Sequence, residues 1–137
     1  MKINPYLFFN GQCEEAIKFY ARVLGGKIEM MVPYKDMPGD EKFPAEFAHH
    51  IMHARLSIGD QVIMASDVGP GRYNKPQGFD VSLNIDTVEE AEQVYKGLSE
   101  GAQSVGMPLG ETFWAQRFGS FVDKFGTNWM INCQKPM

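Results

Sequence analysis

The chain has 137 residues, 44% hydrophobic and 22% charged, with a formal net charge of −4 at pH 7. That length suits one domain or two half-size units sharing a core, the acidic balance argues against a nucleic-acid partner, and no run of about 18 apolar residues offers a membrane span. The N-terminus, MKINPYLFF, lacks the apolar stretch of a signal peptide, so a cytoplasmic protein with free thiols at Cys13 and Cys133 is expected, although a disulfide between them is possible.

In chain order, NPYLFF reads as a first strand. CEEAIKFY then opens a helix in which Ala16, Ile17, Tyr20, Val23 and Leu24 recur with helical period. Gly25-Gly26 stops it, as a left-handed terminal glycine would. KIEMMVPY, HIMHARLSI and QVIMAS read as three more strands, the last two joined by a tight turn at Gly59-Asp60. Residues 35–48, proline-containing and charged, read as an inserted loop. Residues 69–77 read as a linker. DVSLNI is the next strand. A second helix follows, capped by Asp86 or Thr87, with Val88, Ala91, Val94, Tyr95 and Leu98 as its apolar stripe and Gly101 at its end. QSVGMPL, the stretch around RFGSFVD, and WMINC are the remaining strands, with FGTN as the last turn.

The second helix repeats the first. At an offset of 75, Glu14, Glu15, Ala16, Tyr20 and Gly26 fall on Glu89, Glu90, Ala91, Tyr95 and Gly101. Such self-similarity marks an internal repeat. The chain therefore reads as α+β, two tandem βαβββ modules at about 1–68 and 78–137. Alternation assigns the faces. Phe79, Val81, Leu83 and Ile85 oppose Asp80, Ser82 and Asn84. Met52, Ala54, Leu56 and Ile58 oppose Ile51, His53, Arg55 and Ser57. One face packs on a helix; the polar one is either a ligand surface or an outer face in solvent.

FYARVLGGK, NPYLFFNG, HARLSIGDQVIMASD and ETFWAQRFGSFVDKFGTNWMIN resemble the PhnB-like branch of the vicinal oxygen chelate superfamily, which includes glyoxalase I, extradiol dioxygenases and the fosfomycin and bleomycin resistance proteins. The resemblance runs through nearly the whole chain. It implies curved mixed sheets around an open barrel-like cavity, and a homodimer is common in the family. A ubiquinone-pathway methyltransferase name is sometimes attached to this branch. The chain offers no glycine-rich loop between a strand and a helix for S-adenosylmethionine.

Metal-dependent members hold one divalent ion with His, Gln or Glu from the first and fourth strands of each module. Carried onto this chain, those positions fall on Pro5, Met64, Asp80 and Met130. Proline and methionine are poor ligands for a hard or borderline ion, so no metal and no other cofactor is expected. A one-residue slip in this mapping would exchange the two faces. His49 and His53 have the spacing of a zinc-binding helix, but on a strand they lie about 13 Å apart.

The remaining chemistry is sparse. Cys13 lies near a helix start, which could lower its pKa, against the plainer reading of a buried thiol. Residues 69–72 read as a linker turn rather than a phosphate loop. The expectation is a small-molecule-binding protein that holds an apolar or aromatic ligand with Met64, Trp114 and Met130. Ser82 and Asn84 would orient it, and His53 or Asp80 would be candidate catalytic bases. The alternatives are a metal-dependent glyoxalase-like lyase, isomerase or dioxygenase, which needs the ligands missing from this mapping, and a structural dimerisation module.

Overall fold

The computed structural model describes residues 1–37, 43–69 and 71–136. The chain divides into two compact units, Met1–Asn74 and Lys75–Met137. The first contains β1 (Tyr6–Phe9), α1 (Cys13–Leu24), β2 (Lys27–Pro33), β3 (Ile51–Ile58) and β4 (Gln61–Asp67). The second contains β5 (Val81–Asn84), α2 (Val88–Leu98), β6 (Ser104–Gly110), β7 (Ala115–Val122) and β8 (Asn128–Gln134). Part of the 35–48 insertion, residues 38–42, lies outside the described residues; short 3-10 turns at Tyr34–Asp36 and Ala45–Phe47 flank it.

Each unit forms a four-stranded mixed sheet, ordered β1-β4-β3-β2 and β5-β8-β7-β6. The helix carries the chain from one edge of its sheet to the other. Antiparallel strands then step back until the fourth meets the first in parallel. The sheets are not closed into barrels. The crossover covers one face only.

Helix α1 buries Cys13, Ala16, Ile17, Phe19 and Tyr20. Beneath it lie Leu7, Phe9, Ala54, Leu56, Ile63 and Ala65, all buried, with the Phe9 and Tyr20 ring centroids 6.4 Å apart. Each large side chain buried this way contributes about 1.5–3 kcal/mol. Helix α2 buries Ala91, Val94 and Leu98 over Phe121, Trp129 and Ile131. The two glycines after α1 do different work. Gly25 takes the left-handed conformation at φ 70°. Gly26 lies so close to β3 that a Cβ would come within 2.9 Å of both Leu56 Cδ1 and the Ser57 carbonyl oxygen. Thr87 caps α2 by accepting from the Glu90 N–H at 3.1 Å. That helix ends at Leu98 with Ser99 as its cap. Gly101, expected to end the helix, instead makes the following turn at φ 70°.

The alternation expected for β3 fails at its start. Ile51, assigned to the polar face, is only 1% exposed. The register slips between the Val32–His53 and Pro33–Ile51 pairs, and this irregularity turns Ile51 into the core.

A buried aspartate ties each unit together. Asp67, at the end of β4, accepts from the Gly11 and Cys13 N–H groups through Oδ1, at 2.8 and 3.0 Å, and from the Ile51 N–H through Oδ2 at 2.9 Å. One carboxylate thus holds the β1–α1 loop and the start of β3. Asp123 accepts from the Phe125 and Thr127 N–H groups at 2.8 and 3.0 Å and from the Trp129 indole N–H at 2.8 Å, closing the β7–β8 turn. A buried charge is tolerable only with such partners. Cys13 and Cys133 are free and fully buried. Burial first, then the charges of Asp67 and Glu14, push the Cys13 thiol above its ordinary range. The lowering allowed for by its place at a helix start does not occur.

Asp67→Asn should cost about 2–4 kcal/mol in urea unfolding, because an amide nitrogen replaces one acceptor oxygen. Asp60→Asn in the exposed β3–β4 turn should stay within about 0.5 kcal/mol. In a thiol-labelling assay, neither cysteine should react until the chain is denatured; rapid labelling of native Cys13 would contradict its burial.

Candidate functional site: the sheet faces left bare by the helices

The second module's bare face is ordered in rows. Ser82 pairs with Met130, Met130 with Ser120, and Ser120 with Met107. In the adjacent row Asn84 pairs with Asn132, Asn132 with Phe118, and Phe118 with Gly110. Register partners share a face. All these positions therefore point away from α2, whose side holds their buried alternates Trp129 and Ile131. The Asn132 amide nitrogen donates to Asn84 Oδ1 at 3.2 Å. Trp114, 42% exposed, sits edge-on to Phe118 with centroids 5.4 Å apart. The surface is mixed: hydroxyls and amides along one side, thioether in the middle, aromatic rings along the other.

The first module's bare face has a similar row with different chemistry. Tyr6 pairs with Met64, Met64 with Arg55, and Arg55 with Met30. Beside it, Phe8 pairs with Ser66 and His53 with Val32. The Tyr6 hydroxyl lies 3.2 Å from His53 Nδ1, and the two rings stack with centroids 5.8 Å apart. Arg55 Nε donates to Glu29 Oε2 at 3.1 Å.

Most residues expected at a site from the sequence lie on these faces. In the first module, Met64 and His53 are half-buried neighbours of Tyr6. In the second, Ser82, Asn84 and Met130 belong to the two rows, and Trp114 stands beside Phe118. Asp80 is exposed and precedes β5. The histidines do not converge. His50 packs edge-on against Phe47, with centroids 4.8 Å apart, and over Gly11, where an added Cβ would come within 3.1 Å of its Cε1. His53 faces Tyr6 instead. Among the described residues no three His, Cys, Asp or Glu side chains gather as metal ligands would.

The mapping of the first-strand ligand position shifts by one residue. Pro5 precedes β1, and its carbonyl accepts from the Met64 N–H at 3.1 Å. Tyr6, not Pro5, is the register partner of Met64. In the second module the register partner of Met130 is Ser82, not Asp80. Neither change adds a strong donor: the set becomes a phenol and a thioether in one module, and a hydroxyl with a thioether in the other, the exposed Asp80 carboxylate standing outside β5. Such a set does not fit a hard or borderline divalent ion. Tyr6, Arg55, Phe118 and Asn132 were not singled out from the sequence. Alternation already puts Arg55 on the polar face with His53 without giving it a role, and it extends to two more: YLFF places Tyr6 with Phe8, and NWMIN places Asn132 with Met130.

Residues 2–131 match the model of the Glyoxalase/Bleomycin resistance protein/Dioxygenase superfamily. The Escherichia coli protein YjdN is 35% identical over 98% of this chain and 97% of its own length. The crystal structure of protein PA1353 from Pseudomonas aeruginosa superposes with a TM-score of 0.90 at 47% identity, covering 99% of each chain. The PhnB protein from Bacillus cereus, which carries a 3-demethylubiquinone-9 3-methyltransferase name, superposes at 0.79 with 26% identity over 97% of this chain and 99% of its own. A match of this extent to the family model, together with a full-length relative, places the chain in the Glyoxalase/Bleomycin resistance protein/Dioxygenase superfamily.

Proposed function

We propose that this chain is a PhnB-like binding protein for small organic molecules. It holds its ligand on the bare sheet faces without the divalent ion that metal-dependent members of its superfamily use. One observation carries the reading: Met64 and Met130 stand mid-row on the two bare faces, at positions mapped to carboxylate ligands. A thioether there offers a soft, adaptable apolar contact in place of a charge. On the second module the flanking groups suit an aromatic ligand with polar substituents. Phe118 and Trp114 supply ring faces and edges. Ser82, Ser120, Asn84 and Asn132 supply hydroxyl and amide partners.

The same reading includes a cytoplasmic homodimer. In support, the edge strand β6 exposes Val105 at 46%, apolar edge surface of the kind that a second copy covers. No helix among the described residues is long and apolar enough to cross a membrane.

The two tryptophans make the test clean. Trp129 is fully buried with its indole N–H on Asp123, so Trp114 is the one exposed to a ligand. Titration with 2-naphthol should quench wild-type fluorescence saturably. By calorimetry, Trp114→Ala should weaken naphthol binding about two- to ten-fold, the loss of one aromatic contact of about 0.5–1.5 kcal/mol. Affinity unchanged in Trp114→Ala would sink the assignment of this face.

A further inference from the structure

Both modules interrupt the pairing of their second and third strands at matching places. In the first, Glu29 is the extra residue between the Ile28–Leu56 and Met30–Arg55 pairs. In the second, Gly106 is the extra residue between the Val105–Phe121 and Met107–Ser120 pairs. A bulge of this kind re-aims the residue it displaces. Gly106 is brought against Ser120, where an added Cβ would meet Oγ at 3.0 Å. Glu29 is brought to Arg55 and receives its Nε–H at 3.1 Å. The same backbone device thus carries a charged pair in one copy and a small neutral one in the other.

The charged copy has unused donors. Glu29 engages only Nε of Arg55, and Tyr6 engages only Nδ1 of His53. Among the described residues, the Arg55 Nη groups and His53 Nε2 have no protein partner. Arg55 and His53 lie two residues apart on one face of β3, about 7 Å between Cα atoms.

We propose that Arg55 and His53 form an oxyanion-binding subsite on the first module's bare face. It takes the carboxylate or phosphonate head of a ligand whose apolar body lies along Tyr6, Phe8 and Met64. The proposal rests on reading the bare faces as ligand surfaces. The guanidinium presents two Nη groups in one plane, the geometry that grips an oxyanion through paired hydrogen bonds. With the Tyr6 phenol as donor to Nδ1, the ring proton of His53 sits on Nε2 and points a second donor outward. Tyr6 and Phe8, with ring centroids 5.1 Å apart, offer exposed ring surface beside these donors for the ligand's apolar body. Glu29 orients Arg55 but also competes with the ligand. Its side chain is 42% exposed and that of Arg55 40%, and a pair so exposed is weak enough to yield to an anion.

The test uses the full-length, isotope-labelled protein titrated with phenylphosphonate, benzoate and benzamide. The His53 imidazole and the Trp114 indole are followed separately by nuclear magnetic resonance. One or both anions should shift the His53 signals and bind about ten-fold more tightly than neutral benzamide; the tighter anion identifies the head group. Arg55→Gln should abolish that preference. Glu29→Gln, which keeps the guanidinium and removes its competitor, should enhance it, and this holds the test open if Arg55→Gln fails to fold. Benzamide binding as tightly as both anions would overturn the subsite. So would a preference that survives Arg55→Gln, or one that falls in Glu29→Gln. The Trp114 signals then report independently whether the second module's face takes aromatic ligands.

Discussion

A single helix covers only one face of a four-stranded sheet, and in this chain that constraint is imposed twice. Because α1 and α2 each carry the chain from one sheet edge to the other, the strands that return must fill the middle. The first and fourth strands then meet in parallel, and, away from the irregular pairs of β2 with β3 and of β6 and β8 with β7, alternate residues of the strands are turned away from the helix. The arrangement survives only if the connecting loops are held without a large core beneath them. Asp67 does this in the first module by gathering three N–H groups from two distant segments. Asp123 does it in the second within one turn, with the help of the Trp129 indole. The repeat conserves the topology, while each copy meets the demand for buried hydrogen-bond acceptors in its own way.

What was legible in the sequence follows from what periodicity encodes. Among the described residues, both helices follow the apolar stripes read for them and β5 follows the alternation of DVSLNI, while the Gly25-Gly26 stop is written in residue type. Parity within a strand is less secure, since one extra residue reverses it. The irregularity before His53 moved Ile51 into the core, and the start of β1 put Tyr6 rather than Pro5 beside Met64. The bulge at Glu29 is equally silent in the sequence, although it decides where Arg55 is held. Asp67 and Asp123 escaped notice for a different reason. Their partners are backbone N–H groups and one indole, and no spacing of side chains announces a backbone partner.

The two bare faces share a plan and differ in charge. In each, a methionine of the fourth strand stands beside a polar residue of the third, and a second methionine follows on the second strand: Met64, Arg55 and Met30 in one, Met130, Ser120 and Met107 in the other. The first strand contributes Tyr6 in one module and Ser82 in the other. One face therefore offers a guanidinium and an imidazole beside aromatic rings. The other offers neutral hydroxyls and amides beside aromatic rings. The two modules differ in side-chain chemistry while sharing the register that presents it.

The central claim is that thioethers stand where metal-dependent relatives need carboxylates, so that the chain works on organic ligands without a resident ion. The direct test is elemental analysis of protein made without a histidine tag, incubated in turn with nickel, zinc, manganese and iron(II) and then desalted. The account predicts that no ion is retained in amounts approaching the protein itself. Retention of about one ion per chain would contradict it, because a site of that strength needs several nitrogen or carboxylate donors, and the mapped positions supply Asp80 alone.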